Sequence, residues 1–250
     1  MKNIEHPIGN TKISITKSLK NSLLSFLRLF VNIFFKLDKN DDIILSSAFH
    51  APWLYDKEFL KFYNLIKEFT LLDQPRAYTL WQCTKNLQEK DGCILDIGCL
   101  LGGAGFLMSK ANIKGRTFLF DTFSGFKKND GIHKKETFYF DDISFVKKNI
   151  DKLKLKRISV HKSHFPRKLR FPINKIKICH IDVNTYESTK EVFEFVDKKL
   201  IKGGIVIFDD FGIWGVDGIK KYIYEIHPKL KKKYYFLFNY MGQCILTKKI

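Results

Sequence analysis

The amino-acid sequence predicts an α/β fold in which a mainly parallel sheet of seven strands carries helices on both faces and ends in an antiparallel strand. From residue 92 onward, five short apolar runs alternate with stretches long enough for helices, and strands joined through helices pair in parallel. Two further apolar runs, residues 234–238 and 244–247, flank a turn at Met241-Gly242. This pattern predicts a hairpin, so we expect the last strand to run antiparallel to its neighbour.

The length and composition of the chain indicate one domain with an extension. Of its 250 residues, 45% are hydrophobic, which is enough for one sizeable core. A polar run at residues 39–42 predicts a break, so we expect an N-terminal extension over residues 1–45 and a domain over residues 46–250. Apolar residues recur at helical spacing before residue 90, which predicts a helical cap over 46–90 in front of an α/β core over 91–250.

The net charge of the chain is +18, from 44 Lys and Arg against 26 Asp and Glu. Such an excess suits nucleic acid, an anionic membrane or an anionic substrate. The cations are scattered along the chain without a recognisable nucleic-acid module, so we favour solvated lysine-rich faces and disfavour a nucleic-acid partner. The five cysteines form no CxxC pair, which disfavours zinc and a disulfide framework and fits a reducing cytoplasm.

An apolar segment over residues 23–35 stands inside the extension. It begins too far from the N-terminus for a secretory signal and has no small-residue cleavage site after it. At about 13 residues it is shorter than the roughly 20 that span a bilayer. Lysines at 12, 17, 20 and 36 flank it, which suits a helix lying on the inner face of an anionic membrane. Packing on the domain, or on a second subunit of a homo-oligomer, is the favoured alternative.

Acidic residues end four of the five predicted parallel strands: Asp96, Asp121, Asp182 and the Asp209-Asp210 pair. The carboxyl ends of parallel strands lie on one side of a sheet, where ligands bind. One aspartate after a strand is usually a helix cap or a turn former. A row of them requires a cation or hydrogen-bond donors, because clustered carboxylates repel each other.

Glycines follow the first of these acids. The nine residues after Asp96 contain four glycines: Gly98, Gly102, Gly103 and Gly105. Glycine lets the backbone turn tightly and approach a ligand closely. The spacing matches neither the G-x-G-x-x-G of pyrophosphate sites nor a P-loop. A dinucleotide or nucleoside triphosphate is therefore less favoured than a ligand without a pyrophosphate.

The second acid suggests a ribose. Asp121 lies 18 residues beyond Gly103, where a strand-end acid accepts hydrogen bonds from ribose hydroxyls, and Asp96 can face a positively charged group. We therefore expect an S-adenosylmethionine site, with Ser163 at the end of the third strand placed near the adenine. The other expected cofactor contacts are Asp96, Gly98, Gly102, Gly103 and Asp121.

Several longer motifs resemble one protein family. They are Ile-Leu-Asp-Ile-Gly at 94–98, Asp-Thr-Phe-Ser-Gly-Phe at 121–126, Tyr-Glu-Ser-Thr at 186–189 and Asp-Asp-Phe-Gly at 209–212. With them the sequence resembles the macrocin O-methyltransferase family over roughly residues 56–250. The resemblance implies a Rossmann-like class I methyltransferase fold and methyl transfer from S-adenosylmethionine to sugar hydroxyls of glycans and natural products. It also implies a divalent cation, usually Mg²⁺.

Strand pattern and resemblance together point to Asp182, Asp209 and Asp210 as metal ligands. Carboxylate oxygens suit Mg²⁺, and a bound cation lowers the pKa of a coordinated hydroxyl. Asp182 is the expected proton acceptor and His180 the less favoured one, since a histidine within a strand is more often satisfied in the core. The acceptor oxygen would then attack the sulfonium methyl in line.

Asn184 departs from the family that the sequence resembles, which commonly has Asp at this position. The Asn carbonyl oxygen can coordinate a metal, but it cannot act as a base, which is why we place the base at Asp182. Two alternatives stay open. One is a methyltransferase acting on a non-sugar acceptor, such as a catechol-like hydroxyl or nucleic acid. The other is a non-catalytic, membrane-associated homologue.

Overall fold

The computed structural model describes residues 13–35, 50–127, 132–213 and 215–249. The chain divides into two compact units after His50. The first unit holds helix α1, Ile13–Phe35. No helix among the described residues is long and apolar enough to cross a membrane. The polar run at 39–42 and the expected boundary near residue 45 lie outside the described residues.

The second unit is built on a seven-stranded sheet, as predicted. Strands β1 to β5 run parallel to one another, and β7 lies antiparallel between β5 and β6. The strand order is β3-β2-β1-β4-β5-β7-β6. The strands are β1 Cys93–Ile97, β2 Thr117–Asp121, β3 Ile158–Lys162, β4 Ile176–Ile181, β5 Leu200–Phe208, β6 Tyr234–Phe238 and β7 Cys244–Lys248. The order reverses between β1 and β4, and ligands bind at such a switch point.

Helices cover both faces of this sheet. They are α2 Lys57–Ile66, α3 Gln74–Asn86, α4 Gly103–Ala111, α5 Ile143–Lys152, α6 Tyr186–Lys199 and α7 Asp217–Leu230. Four begin at a side-chain cap: Asp56, Asp73, Asp142 and Thr185 each accept a hydrogen bond from a main-chain N–H in the first turn. Such caps satisfy amides that have no partner inside the helix. Helix α4 instead begins at Gly102, in the left-handed region at φ +92°.

The core lies in two layers, one on each face of the sheet. One layer packs α2, α3 and α4 and includes Phe59, Trp81 and Phe106. The other packs α6 and α7 and includes Phe193 and Ile219. Every residue of β4 is buried, as expected for a central parallel strand covered on both faces. The carboxyl ends of the central strands are therefore held on a rigid base.

Lys177 is a buried charge in β4 that the sequence pattern does not reveal. Its Nζ donates to the main-chain carbonyls of Gln88, Lys90 and Lys114 at 2.7–3.2 Å and to Asn112 Oδ1 at 2.7 Å. Burial lowers the pKa of Lys177 to about 8. This ammonium joins two loops at the amino end of the sheet, away from the strand-end acids.

Candidate active site

A cavity of about 490 Å³ opens at the carboxyl ends of the central strands. This volume is within the usual range for small-molecule sites. Most of the predicted site residues line it: Gly98, Asp121, Ser163, His180, Asp182, Asp209 and Asp210. Among the described residues, Asp96, Gly102 and Gly103 do not line it. The predicted row of acids therefore converges at one edge of the sheet with the exception of Asp96.

The glycine turn shapes one wall of this cavity. Gly98 has φ +87° and Gly102 has φ +92°, a conformation that glycine adopts without a steric penalty. Gly103 packs behind the turn, where an added β-carbon would lie 2.4 Å from the carbonyl oxygen of Phe69. Gly98 thus faces the cavity. Gly102 and Gly103 instead set the direction of α4 and its contact with residues 69–70 of the N-terminal helical cap.

Asp121 is held at the end of β2 by two main-chain amides. Its Oδ2 accepts from Leu100 N at 2.8 Å and its Oδ1 accepts from Phe123 N at 2.7 Å. Burial raises the pKa of Asp121, and these two hydrogen bonds oppose that effect. Each carboxylate oxygen keeps a second acceptor position. The residue is therefore oriented to accept hydrogen bonds from a pair of hydroxyls.

Asp96 lies behind the cavity wall and not on it. Its Oδ1 is 2.8 Å from His180 Nδ1, and both side chains are buried. Burial alone would lower the pKa of His180, but the hydrogen bond to Asp96 and nearby carboxylates raise it to about 9. The Nε2 atom of His180 has no hydrogen-bond partner within the described part of the chain. Because the Nδ1 hydrogen of His180 is donated to Asp96, Nε2 is the ring nitrogen that remains available to contact a ligand.

His180 forms a group with Asp182 and Asp209 in which one ligand atom from each residue lies within 4.8 Å of the others. The two carboxylates fit a divalent cation, and the imidazole Nε2 can join them as a ligand once it has released its proton. Burial raises the pKa of Asp182 well above its usual value, and Asp209 and Asp210 add to this effect. Asp210 is not part of this group. It has φ +55°, and burial raises its pKa to about 6.

Two polar residues that sequence reasoning missed hold Asp209. Arg76, in the first turn of α3, donates from Nη1 to Asp209 Oδ2 at 2.6 Å and to Asp210 Oδ1 at 3.1 Å. Gln243, just before β7, donates from Nε2 to Asp209 Oδ1 at 2.8 Å. Arg76 is 133 residues from Asp209 along the chain. No local motif marks either residue, so only the folded chain identifies them.

Asn184 and Ser163 complete the cavity wall. Asn184 has φ +59°, and its buried Oδ1 has no partner among the described residues. The Ser163 hydroxyl donates to the carbonyl of Lys168 at 3.1 Å. Asn184 therefore keeps an unused acceptor at the cavity, whereas the Ser163 hydroxyl already donates within its own loop.

Comparison with known proteins identifies the family. The family model described as macrocin-O-methyltransferase (TylF) matches residues 67–229. Comparison of the sequence with curated proteins gives no significant match. Among solved structures, the O-methyltransferase NovP has a TM-score of 0.63 at 18% identity, covering 73% of this chain and 83% of that one. The calicheamicin methyltransferase CalS11 has a TM-score of 0.58 at 16% identity, covering 84% and 99%.

A third structure contains the cofactor that the sequence predicts. TomG from Streptomyces achromogenes, an O-methyltransferase in complex with S-adenosylmethionine, has a TM-score of 0.51 at 15% identity and covers 78% of this chain and 91% of that one. At these identities the three structures establish the fold. The family model spans more than half of the chain. The protein therefore belongs to the macrocin O-methyltransferase family and is an S-adenosylmethionine-dependent O-methyltransferase.

Proposed function

We propose that the protein transfers the methyl group of S-adenosylmethionine to a sugar hydroxyl of a glycan or natural-product glycoside, with assistance from Mg²⁺. The observation that carries this proposal is the group formed by His180, Asp182 and Asp209 at the edge of the cavity. Gly98 of the glycine turn and Asp121 line the same cavity as this group, which supports placing the proposed nucleoside site and the proposed cation site in one cavity.

In this proposal the cofactor occupies the β1–β2 side of the cavity. Asp121 accepts hydrogen bonds from the ribose, because its two oxygens are already oriented by Leu100 and Phe123. Gly98 allows close approach of the ligand, and Ser163 lies on the wall nearer β3. Asp96 does not touch the cofactor and acts through its hydrogen bond to His180. Gly102 and Gly103 maintain the backbone conformation of the turn.

The divalent cation would be held by Asp182 and Asp209, with His180 Nε2 or Asp210 completing the protein ligands. When bound, it would lower the pKa of an acceptor hydroxyl and hold that hydroxyl in place. Oxygen ligands favour Mg²⁺, and the imidazole nitrogen also makes the site suitable for Mn²⁺.

Asp182 is the residue that we assign to accept the proton of the sugar hydroxyl. Its carboxylate lines the cavity at the end of β4, and a positioned carboxylate can take a proton from a reacting hydroxyl. The Asn184 amide oxygen is buried and has no partner in the described part of the chain. It can accept a hydrogen bond from a second hydroxyl of the methyl acceptor. His180 is the alternative base, but its tie to Asp96 fits a positioning or ligand role better.

The test of this function is transfer of a labelled methyl group to an extract of cell-surface glycans. We expect label in a carbohydrate fraction, lost on chelation and restored by Mg²⁺. Label in protein or nucleic acid with none in carbohydrate would overturn the sugar assignment. Full activity in the presence of a chelator would overturn the cation assignment. Isothermal calorimetry with S-adenosylmethionine is the control that the protein binds its cofactor.

We also propose that α1 attaches the protein peripherally to an anionic membrane at its cytoplasmic face. Seven large apolar side chains of α1 are each more than half exposed: Leu19, Leu23, Phe26, Leu29, Phe30, Ile33 and Phe34. They recur every three or four residues, which places them in one stripe along a helix about 35 Å long. Residues 12–36 contain five basic residues and no acidic one, so the charge of this segment complements anionic lipid.

Vesicle co-sedimentation of the full chain tests this attachment. We expect binding to vesicles that contain phosphatidylglycerol but not to vesicles of phosphatidylcholine alone. Phe26→Glu, in the middle of the stripe, should reduce the bound fraction at least fivefold. Ser25→Glu is the matched control, since Ser25 is exposed outside the stripe. Absence of vesicle binding together with a dimer that Phe26→Glu dissociates would assign the stripe to a second copy of the chain.

A further inference from the structure

Arg76 reaches from the helical cap into the acidic edge of the cavity. Its side chain is only 13% exposed. Nη1 contacts Asp209 and Asp210, and Nη2 donates to the Leu71 carbonyl at 3.3 Å. Nε lies 3.4 Å from Asp73 Oδ2. One guanidinium thus links the start of α3 to the end of β5.

The contacts of Arg76 bring a positive charge to the acidic edge of the cavity. Burial raises the pKa of Asp182, and the nearby carboxylates of Asp209 and Asp210 at the end of β5 raise it further. Carboxylates at this spacing repel each other unless a cation compensates them. Arg76 provides one positive charge at 2.6 Å from Asp209.

The same contact conflicts with the proposed cation site. Asp209 belongs to the group that fits a divalent cation, yet both of its oxygens already accept hydrogen bonds. Gln243 occupies Oδ1 and Arg76 occupies Oδ2. Each of these oxygens keeps a second acceptor position, so a divalent cation that takes Asp209 as ligand shares an oxygen with Gln243 or with the guanidinium, or displaces the guanidinium. The positive charge of Arg76 also opposes a second cation at this distance.

We infer that Arg76 is an internal counter-cation that competes with the divalent cation for Asp209. The inference rests on the proposed function. Asp73 is the partner that remains for Arg76 on release, since it is 3.4 Å from Nε and its side chain is 58% exposed. Leu71, Leu72 and Arg76 all line the cavity. Binding of the cation is therefore coupled to loosening of the residue 71–76 segment, which forms part of the cavity wall.

Binding of Mn²⁺ to the full chain, measured by electron paramagnetic resonance without cofactor or acceptor, tests the competition. We expect Arg76→Met to bind Mn²⁺ at least tenfold more tightly than the wild type. The Mn²⁺ affinity of Arg76→Lys should remain closer to that of the wild type, because lysine keeps the positive charge. Arg167→Met is the matched control: Arg167 forms an ion pair with Glu191 at 2.6 Å on the surface, and its loss should leave Mn²⁺ affinity unchanged.

The outcomes separate this inference from the proposed function. If the wild type binds Mn²⁺ and Arg76→Met binds it equally or more weakly, the inference alone is overturned. Arg76 would then hold Asp209 in position for the cation instead of competing with it. Failure of both proteins to bind Mn²⁺ overturns the inference and the cation assignment together. Labelled methyl transfer that survives chelation would then keep the transferase assignment.

Hydrogen exchange of the wild type gives a second test that does not depend on a variant folding. We expect added Mg²⁺ to accelerate amide exchange several-fold in residues 71–77, including the Arg76 amide that now donates to Asp73. The β4 amides should be unaffected and serve as an internal control. Unchanged or slower exchange in residues 71–77 at saturating Mg²⁺ would overturn the inference.

Discussion

The main chain of Gly98 runs so close to Asp182 that a β-carbon built at Gly98 would lie 1.9 Å from the Asp182 carbonyl oxygen. This contact joins the glycine turn after β1 to the acid that ends β4. Gly98 also has φ +87°, so any side chain would add backbone strain to the clash. The cofactor wall and the proposed base are thus packed directly against each other.

Gly98→Ala should therefore be strongly destabilising. We expect a loss of about 3 kcal/mol or more in the free energy of unfolding, because the clash is with main chain that cannot rotate away. Gly203→Ala is the control, since Gly203 has φ +73° but nothing within 4 Å of an added β-carbon. It should cost only about 1 kcal/mol. Urea unfolding followed by circular dichroism measures both, and equal losses would contradict the close contact.

Asp121→Asn should weaken S-adenosylmethionine binding by about 10- to 100-fold, since a hydrogen bond to a charged group contributes roughly 1.5–3 kcal/mol. The Asn side chain has the same shape but only one acceptor oxygen. Isothermal calorimetry measures the change. Asp141→Ala is the control, because Asp141 is exposed and pairs with Lys162. An unchanged dissociation constant in Asp121→Asn would refute its contact with the ribose.

Asp182→Asn should lower kcat by about a hundredfold or more, because it removes the proposed general base and also a proposed ligand of the cation. The reference variant is Asn184→Asp, which introduces the acid common in the family. With the base at Asp182, this change should alter kcat by less than tenfold. Methyl transfer to the acceptor found in the glycan screen measures both. A hundredfold rise in Asn184→Asp would place the base at position 184 instead.

Lys177 should make the free energy of unfolding depend on pH in the alkaline range. Burial lowers the pKa of Lys177 in the folded protein to about 8, against 10.5 for a free lysine. Between these values the unfolded chain holds more protons, so the free energy of unfolding rises with pH. The shift corresponds to about 3 kcal/mol at most.

The difference between wild type and Lys177→Met isolates this contribution. We expect their unfolding free energies to diverge between pH 8 and 10.5, with the wild type gaining relative to the variant. Lys175 is an exposed neighbour of Lys177. The unfolding free energy of Lys175→Met should therefore change with pH in parallel with that of the wild type over the same range. Urea unfolding at a series of pH values checks this. Parallel curves for Lys177→Met would show that Lys177 has an ordinary pKa.

The order of elements and the fold class could be predicted because they depend on local patterns. Apolar runs separated by helix-length segments specify parallel strands, and their carboxyl ends must lie on one side. For this reason the sequence by itself predicted that four strand ends meet at one edge with Asp96, Asp121, Asp182 and the Asp209-Asp210 pair. All of these acids except Asp96 line the cavity.

Only the tertiary structure decided which of these groups touch. Asp96 was expected to face the cofactor, but β4 lies beside β1, so Asp96 is opposite His180 in register and is buried against it. Arg76 is brought to Asp209 by packing of the cap on the sheet. Contacts between segments that are 84 or 133 residues apart depend on strand order and helix packing, and no local pattern in the chain encodes either of them.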